Sequence, residues 1–138
     1  MRQLTVPACP SSIDTVHDLV TSMMEQHPPL SAQDQIRCQL AVMEIASNVI
    51  AHAVPSPPGG PEVTIQITIT TFADRITARF RDNAAPAEID LLAVRMPDEL
   101  AEQGRGIAIT QTLGDELDYQ RSGSINVWTL TCHYRDPV

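Results

Sequence analysis

Glu44, Asn48 and His52 lie four residues apart in "AVMEIASNVIAHA", residues 41–53, a stretch with helical character. Groups at this spacing stack along one stripe of a helix, with about 6 Å of axial rise between them. Apolar residues flank the stripe on both sides, so the helix is expected to be buried along most of its surface. Burying a carboxylate, an amide and an imidazole without partners would cost roughly 2–7 kcal/mol each, so something should satisfy them. Glu44 can serve as a base. The Asn48 amide oxygen suits Mg²⁺, which takes few protein oxygens and keeps the rest of its shell for water and phosphate. The same residues also fit a helix carrying two satisfied polar side chains.

Two further stretches could do chemistry. In "FRDNAAP", residues 80–86, a strand ends in Asp82 and turns through small residues into a proline. A carboxylate there can accept a hydrogen bond from an amino group such as the exocyclic amine of adenine, and it also fits a turn-forming aspartate. In "EQGRGIAI", residues 102–109, glycines open a helical register. Gly104 and Gly106 allow the backbone close to a phosphate, and a helix N-terminus offers free N–H groups and positive potential. The lysine of a P-loop is missing, and a plain loop-to-helix connection accounts for the glycines as well.

The elements that must position these residues follow from the patterning. "RQLTVPA" alternates as an edge strand would. "SSIDTVHDLVTSMMEQ" has Ser11 or Ser12 to cap a helix whose apolar residues Ile13, Val16, Leu19, Val20, Met23 and Met24 form one stripe, with Pro28 and Pro29 ending it. The methionine pair reads as core filling. Ser31 and Asp34 make a capping-box-like start for the helix that carries Glu44, which should run to about Ala53. "VPSPPGGPE" is a loop. "VTIQITITTFADRITARFRD" reads as an antiparallel hairpin broken at Ala73-Asp74. "NAAPAEIDLLAVRMPDELAEQ" has mixed character, punctuated by Pro86 and Pro97, and reads as a mobile connection. "GRGIAITQTLGDELDY" holds Ile107, Ile109, Leu113 and Leu117 in helical register, and "INVWTLTCHY" closes the pattern as a strand. The predicted order β-α-α-β-β-α-β gives an α+β fold, a two-layer α/β sandwich with a mainly antiparallel sheet and helices on one face.

At 138 residues the chain is expected to form a single domain, 1–138, with a proper core. A formal net charge of −8 argues against a nucleic-acid surface and fits protein partners or a metal-bound nucleotide. Apolar runs are too short for a membrane span, and "MRQLTVPACPSS" lacks the apolar core of a signal peptide, so a cytoplasmic protein is expected. Cys9, Cys38 and Cys132 show no paired metal spacing and read as reduced thiols.

Taken together and in this order, the three motifs resemble the ATP-binding domain shared by gyrase, the ninety-kilodalton heat-shock chaperone, the DNA mismatch-repair ATPase and sensor histidine kinases. Glu44-x-x-x-Asn48 matches that superfamily's N box. "DNAAP" stands where its Asp-x-Gly-x-Pro box belongs, and "GRGI" where its Gly-x-Gly box belongs. More narrowly, "EIASNVIAHA" and "LAEQGRGIAITQTLGDELDY" are similar to the bacterial anti-sigma-factor serine/threonine kinases, over about residues 34–131. The resemblance implies Glu44 as general base, Asn48 as Mg²⁺ ligand and Asp82 as reader of the adenine amine. It implies Gly104, Arg105 and Gly106, with Ile107 next to them, as the phosphate-binding box, and residues 87–103 as an ATP lid. His52 would support or cap the helix. It further implies ATP and Mg²⁺ as cofactors, a sigma factor and a small anti-sigma-factor antagonist as partners, and a homodimer. Where the family has glycine in its second box this chain has Ala84, whose methyl group could crowd the base and weaken ATP binding. Ser124 would take the place of a hydroxyl residue that helps bind adenine in relatives. Two alternatives remain beside the sigma-regulating kinase: a non-catalytic partner-binding module of the same fold, and a kinase in a partner-switching pathway outside sigma control.

Overall fold

Strict alternation of isoleucine with threonine and glutamine makes a half-buried strand, because successive side chains of a strand point to opposite faces. In the computed structural model, which describes residues 1–26, 31–53, 55, 62–85 and 116–135 (the His52 side chain aside), Thr64–Thr71 is such a strand. Ile65, Ile67 and Ile69 are buried in it while the residues between them are not. The described elements run β1 (Arg2–Pro7), α1 (Ser12–Glu25), α2 (Ala32–His52), β2 (Thr64–Thr71), β3 (Arg75–Asp82), β4 (Glu116–Ser122) and β5 (Ile125–His133). The strands form one sheet in the order β1-β2-β3-β5-β4, with every neighbouring pair antiparallel. β1 is an edge strand, and the hairpin between β2 and β3 breaks at Phe72–Asp74, both as predicted.

α1 and α2 cover one face of the sheet. Their buried residues Val16, Val20, Met23, Met24, Cys38, Val42, Ile45 and Ala46 share a core with Ile65, Ile67, Ile69, Ile76, Phe80, Trp128 and Leu130. Burying a side chain of this size contributes about 1.5–3 kcal/mol, so the core fixes which face of each strand looks inward. The two methionines of α1 are part of it. Between the helices, Gln39 Nε2 donates to Thr21 Oγ1 at 2.7 Å.

Ser31 caps α2, its hydroxyl accepting from the Asp34 N–H at 3.0 Å. The reciprocal half of a capping box is replaced by a tertiary tie: the Asp34 carboxylate takes the Arg37 guanidinium at 3.1 Å and the Arg135 N–H at 3.0 and 3.1 Å. Arg37 also donates to the His133 carbonyl and to Cys132 Sγ. The start of α2 is thereby bound to the end of β5. At α1, Ser11 holds the N-cap position without capping through its side chain, and Ser12 Oγ donates to the Pro7 carbonyl at 2.7 Å.

One expectation is corrected. The helical register that the sequence suggests through Leu117 does not hold there: Glu116–Ser122 is the edge strand β4, and the part of that register before 116 lies outside the described residues. Leu117 and Tyr119 turn toward the core and pair with Leu130 and Trp128 on β5, and the Tyr119 and Trp128 rings lie 4.4 Å apart between centroids. Spacing Leu113 and Leu117 by four imitates a helix, but the inward pairing of Leu117 and Tyr119, two apart, decides for a strand. Gly123, at φ +61, opens the two-residue turn from β4 to β5, a conformation that needs glycine in that place. No helix among the described residues is long and apolar enough to cross a membrane.

Candidate functional site

α2 places Glu44 and Asn48 on adjacent turns, flanked by buried Ile45, Ala46 and Val49. Both polar residues are half-buried rather than enclosed, so the stripe is partly open to solvent and the helix is not apolar all round. Asn48 Nδ2 donates to the Glu44 main-chain carbonyl at 2.7 Å. A carbonyl only accepts, so this bond fixes which end of the amide faces the helix and leaves Oδ1 turned away from it. Among the described residues no hydrogen bond reaches Asn48 Oδ1, and no partner holds the Glu44 carboxylate. That pair, an unengaged carboxylate and an unengaged amide oxygen one turn apart, is an arrangement that can accept a proton and a hard cation. Among the described residues no cluster of three or more His, Cys, Asp or Glu is placed to hold a metal, so any cation there would take one amide oxygen and fill its shell with water and phosphate.

Asp82 is inward because the period-two register of β3 carries on past Ile76, Ala78 and Phe80. It is 3 % exposed, and its Oδ1 accepts from the Ala84 N–H and from Asn126 Nδ2, both at 2.9 Å. Burial pushes the Asp82 carboxyl above its ordinary range, opposed by the bonds from Asn126 and Ala84 and by the Arg121 charge. Oδ2 takes no hydrogen bond among the described residues. A buried carboxylate with one oxygen committed and the other open is suited to receiving a single N–H donor from a ligand.

The exit of α2 meets this turn. Pro55 and Ala84 form an antiparallel bridge, which brings the C-terminal end of the Glu44 helix to the segment after Asp82. Ala84 is 4 % exposed, so its methyl group is packed. The helix of the first motif thus exits beside the second. Gly104, Arg105, Gly106, Ile107 and the expected lid, 87–103, lie outside the described residues. Ser124 is exposed in the turn between β4 and β5, and the side chain that Asp82 meets from β5 is Asn126.

Asn126 is the residue that sequence reasoning passed over. It is 2 % exposed and stands opposite Asp82 across the β3–β5 pair. The signal was present: Asn126, Trp128, Leu130 and Cys132 share one face of β5, and an amide in an apolar row needs a partner. Cys38 and Cys132 are buried side by side as free thiols. Their mutual hydrogen bond and burial push Cys38 above the ordinary thiol range, which disfavours the thiolate.

With this geometry in place, the chain belongs to the histidine kinase-like ATPase domain family, whose profile matches residues 6–132. No curated protein matches. Among solved structures, the RsbU and RsbW domains of a Mycobacterium tuberculosis protein align with 99 % of this chain at 14 % identity and a TM-score of 0.63, over 34 % of that chain. The histidine kinase domain of a blue-light activated histidine kinase from Erythrobacter litoralis aligns with 92 % at 15 % identity and a TM-score of 0.53, over 61 % of its length. The histidine kinase AdeS of Acinetobacter baumannii aligns with 99 % at 11 % identity and a TM-score of 0.51, over 70 % of its length. These likenesses are of fold. The chain spans about a third and about three fifths of the first two structures.

Proposed function

We propose that the protein is an ATP-dependent serine/threonine protein kinase that also acts as an anti-sigma factor in a bacterial partner-switching pathway. It would hold a sigma factor and phosphorylate a small anti-sigma-factor antagonist. The observation that carries the kinase reading is the half-committed carboxylate of Asp82, followed by a turn that the Pro55–Ala84 bridge ties to the exit of α2, the helix on which Glu44 and Asn48 leave a carboxylate and an amide oxygen unengaged among the described residues. Family membership supports ATP as the nucleotide. The resemblance of the motifs to anti-sigma-factor kinases, with the fold likeness to a chain containing an RsbW domain, supports the partner-switching role.

In this reading Asp82 Oδ2 accepts the adenine amine, and Gly104, Arg105 and Gly106 hold the phosphates, the role that the resemblance implies for them. Asn48 Oδ1 holds Mg²⁺, which when bound offsets charge on the phosphate oxygens. Glu44 takes the proton of the attacking hydroxyl, and the N–H groups of the Gly104–Gly106 segment stabilise charge that develops on transfer. The kinase is cytoplasmic and works as a homodimer.

The test is transfer of label from γ-labelled ATP, with Mg²⁺, to the antagonist. Label on serine or threonine, stable to acid, is the expected product. Acid-labile label on a histidine would place the chain with the histidine kinases instead. Packing of Ala84 where the family has glycine favours a second reading, a partner-binding module without phosphoryl transfer, and calorimetry with ATP separates the two. A kinase serving a pathway other than sigma control would use the same residues, and failure to bind any sigma factor would point to it.

A further inference from the structure

Asn126 makes more hydrogen bonds than any other side chain around Asp82. Its Nδ2 donates to Asp82 Oδ1 at 2.9 Å, to the Ala85 carbonyl at 2.9 Å and, more weakly, to the Ala84 carbonyl at 3.4 Å. Its Oδ1 accepts from the Tyr119 hydroxyl and from Arg121 Nη1, the latter at 2.9 Å. The amide can sit only this way round. A flip would turn its oxygen on a carboxylate and two carbonyls, and its N–H groups on a guanidinium. Arg121 reaches past it to the Ala84 carbonyl at 3.1 Å. The β4–β5 hairpin therefore grips both the carboxylate and the turn that follows it.

We propose that Asn126, held by Tyr119 and Arg121, is a positioning residue for base recognition: by occupying Asp82 Oδ1 it presents Oδ2 as the acceptor for a purine 6-amino group. The proposal rests on the reading that Asp82 meets that amine. A buried carboxyl without such a donor can rotate, or can pick up a proton and then donate as well as accept. In the second state it would tolerate a base with a 6-carbonyl. Two N–H donors on one oxygen, from Asn126 and Ala84, fix the group in one orientation and favour its ionised form against the opposing effect of burial, and an acceptor in a buried site rejects a carbonyl.

The experiment measures Mg²⁺-dependent affinity for ADP and for inosine diphosphate, which share phosphates and ribose and differ at the 6-position. Wild type is expected to prefer ADP by on the order of a hundredfold or more. Asn126→Ala, and the isosteric Asn126→Asp that loses the donor, should lower that ratio at least tenfold while affinity for inosine diphosphate is retained. A purely structural role would weaken both nucleotides together and leave the ratio where it was. Should neither variant fold, Arg121→Ala removes one of the two donors that hold Asn126 Oδ1, and the tie to the Ala84 carbonyl, so the amide is less firmly fixed on Asp82 and the ratio should fall a few-fold. Discrimination by wild type with an unchanged ratio in the folded variants overturns the role of Asn126 alone. Equal affinity of wild type for both nucleotides overturns the Asp82 reading and this proposal with it.

Discussion

Asp82 carries an electrostatic cost that ligand binding can use. Its folded-state carboxyl titrates above the ordinary value, with burial the main cause. The folded state therefore binds a proton more readily than the unfolded chain, and stability contributed by this group is lost as pH rises through the interval between the two values. At neutral pH Asp82→Asn should leave the melting temperature unchanged or raise it, with the gain shrinking on acidification. The amide oxygen can still accept from Ala84 and Asn126, but an N–H would now face the base. ADP affinity should fall at least tenfold, and a variant that melts lower yet binds ADP normally would contradict the assignment. In the wild type, ADP affinity should decline on the acid side at a higher pH than for an ordinary carboxylate. Two neighbouring substitutions complete the residue scale. Asn48→Ala should keep or slightly raise thermal stability, since alanine is the better helix former, and should remove Mg²⁺-dependent ATP affinity. Ala84→Gly should tighten nucleotide binding at a cost of up to about 1 kcal/mol in stability, read by calorimetry and denaturant unfolding respectively.

At the scale of elements, α2 is anchored at its start by Ser31 and by the Asp34 tie to Arg37 and Arg135, and at its exit by the Pro55–Ala84 bridge. Losing the Ser31 cap should cost about 1 kcal/mol in Ser31→Ala, measured by chemical denaturation, with little effect on nucleotide selectivity. Most of this architecture was legible. The i, i+4 spacing of Glu44 and Asn48, the isoleucine alternation of β2 and the inward row ending in Asp82 all follow from the periods of helix and strand. β4 was not legible, because as an edge strand it buries Leu117 and Tyr119 only in part, and Leu117 continues a run of helical spacing from Leu113. Nor was the Asp82–Asn126 pair, 44 residues apart, since cross-strand partners follow from sheet order, and β5 inserts between β3 and β4. Only the apolar company of Asn126 on β5 hinted at it.

Over the whole molecule, helices on one face of an antiparallel sheet put Glu44 on the helical layer and Asp82 on the sheet, and the exit of α2 bridges to the turn after Asp82. An acidic chain of net charge −8 suits a nucleotide whose phosphates arrive neutralised by metal. The central claim is that the α2 stripe performs chemistry rather than merely lining a core, and single-turnover phosphoryl transfer by Glu44→Gln tests it most directly. Glutamine preserves shape and most hydrogen bonding but cannot take the hydroxyl proton. With ATP and partner binding verified as normal, transfer to the antagonist should be at least about a hundredfold slower, the low end of the range for losing a general base. Sigma-factor binding should persist, giving a switch that opens but does not reset. Transfer at a near-normal rate would contradict the account and leave Glu44 a structural residue in a site that works by positioning and metal electrostatics alone.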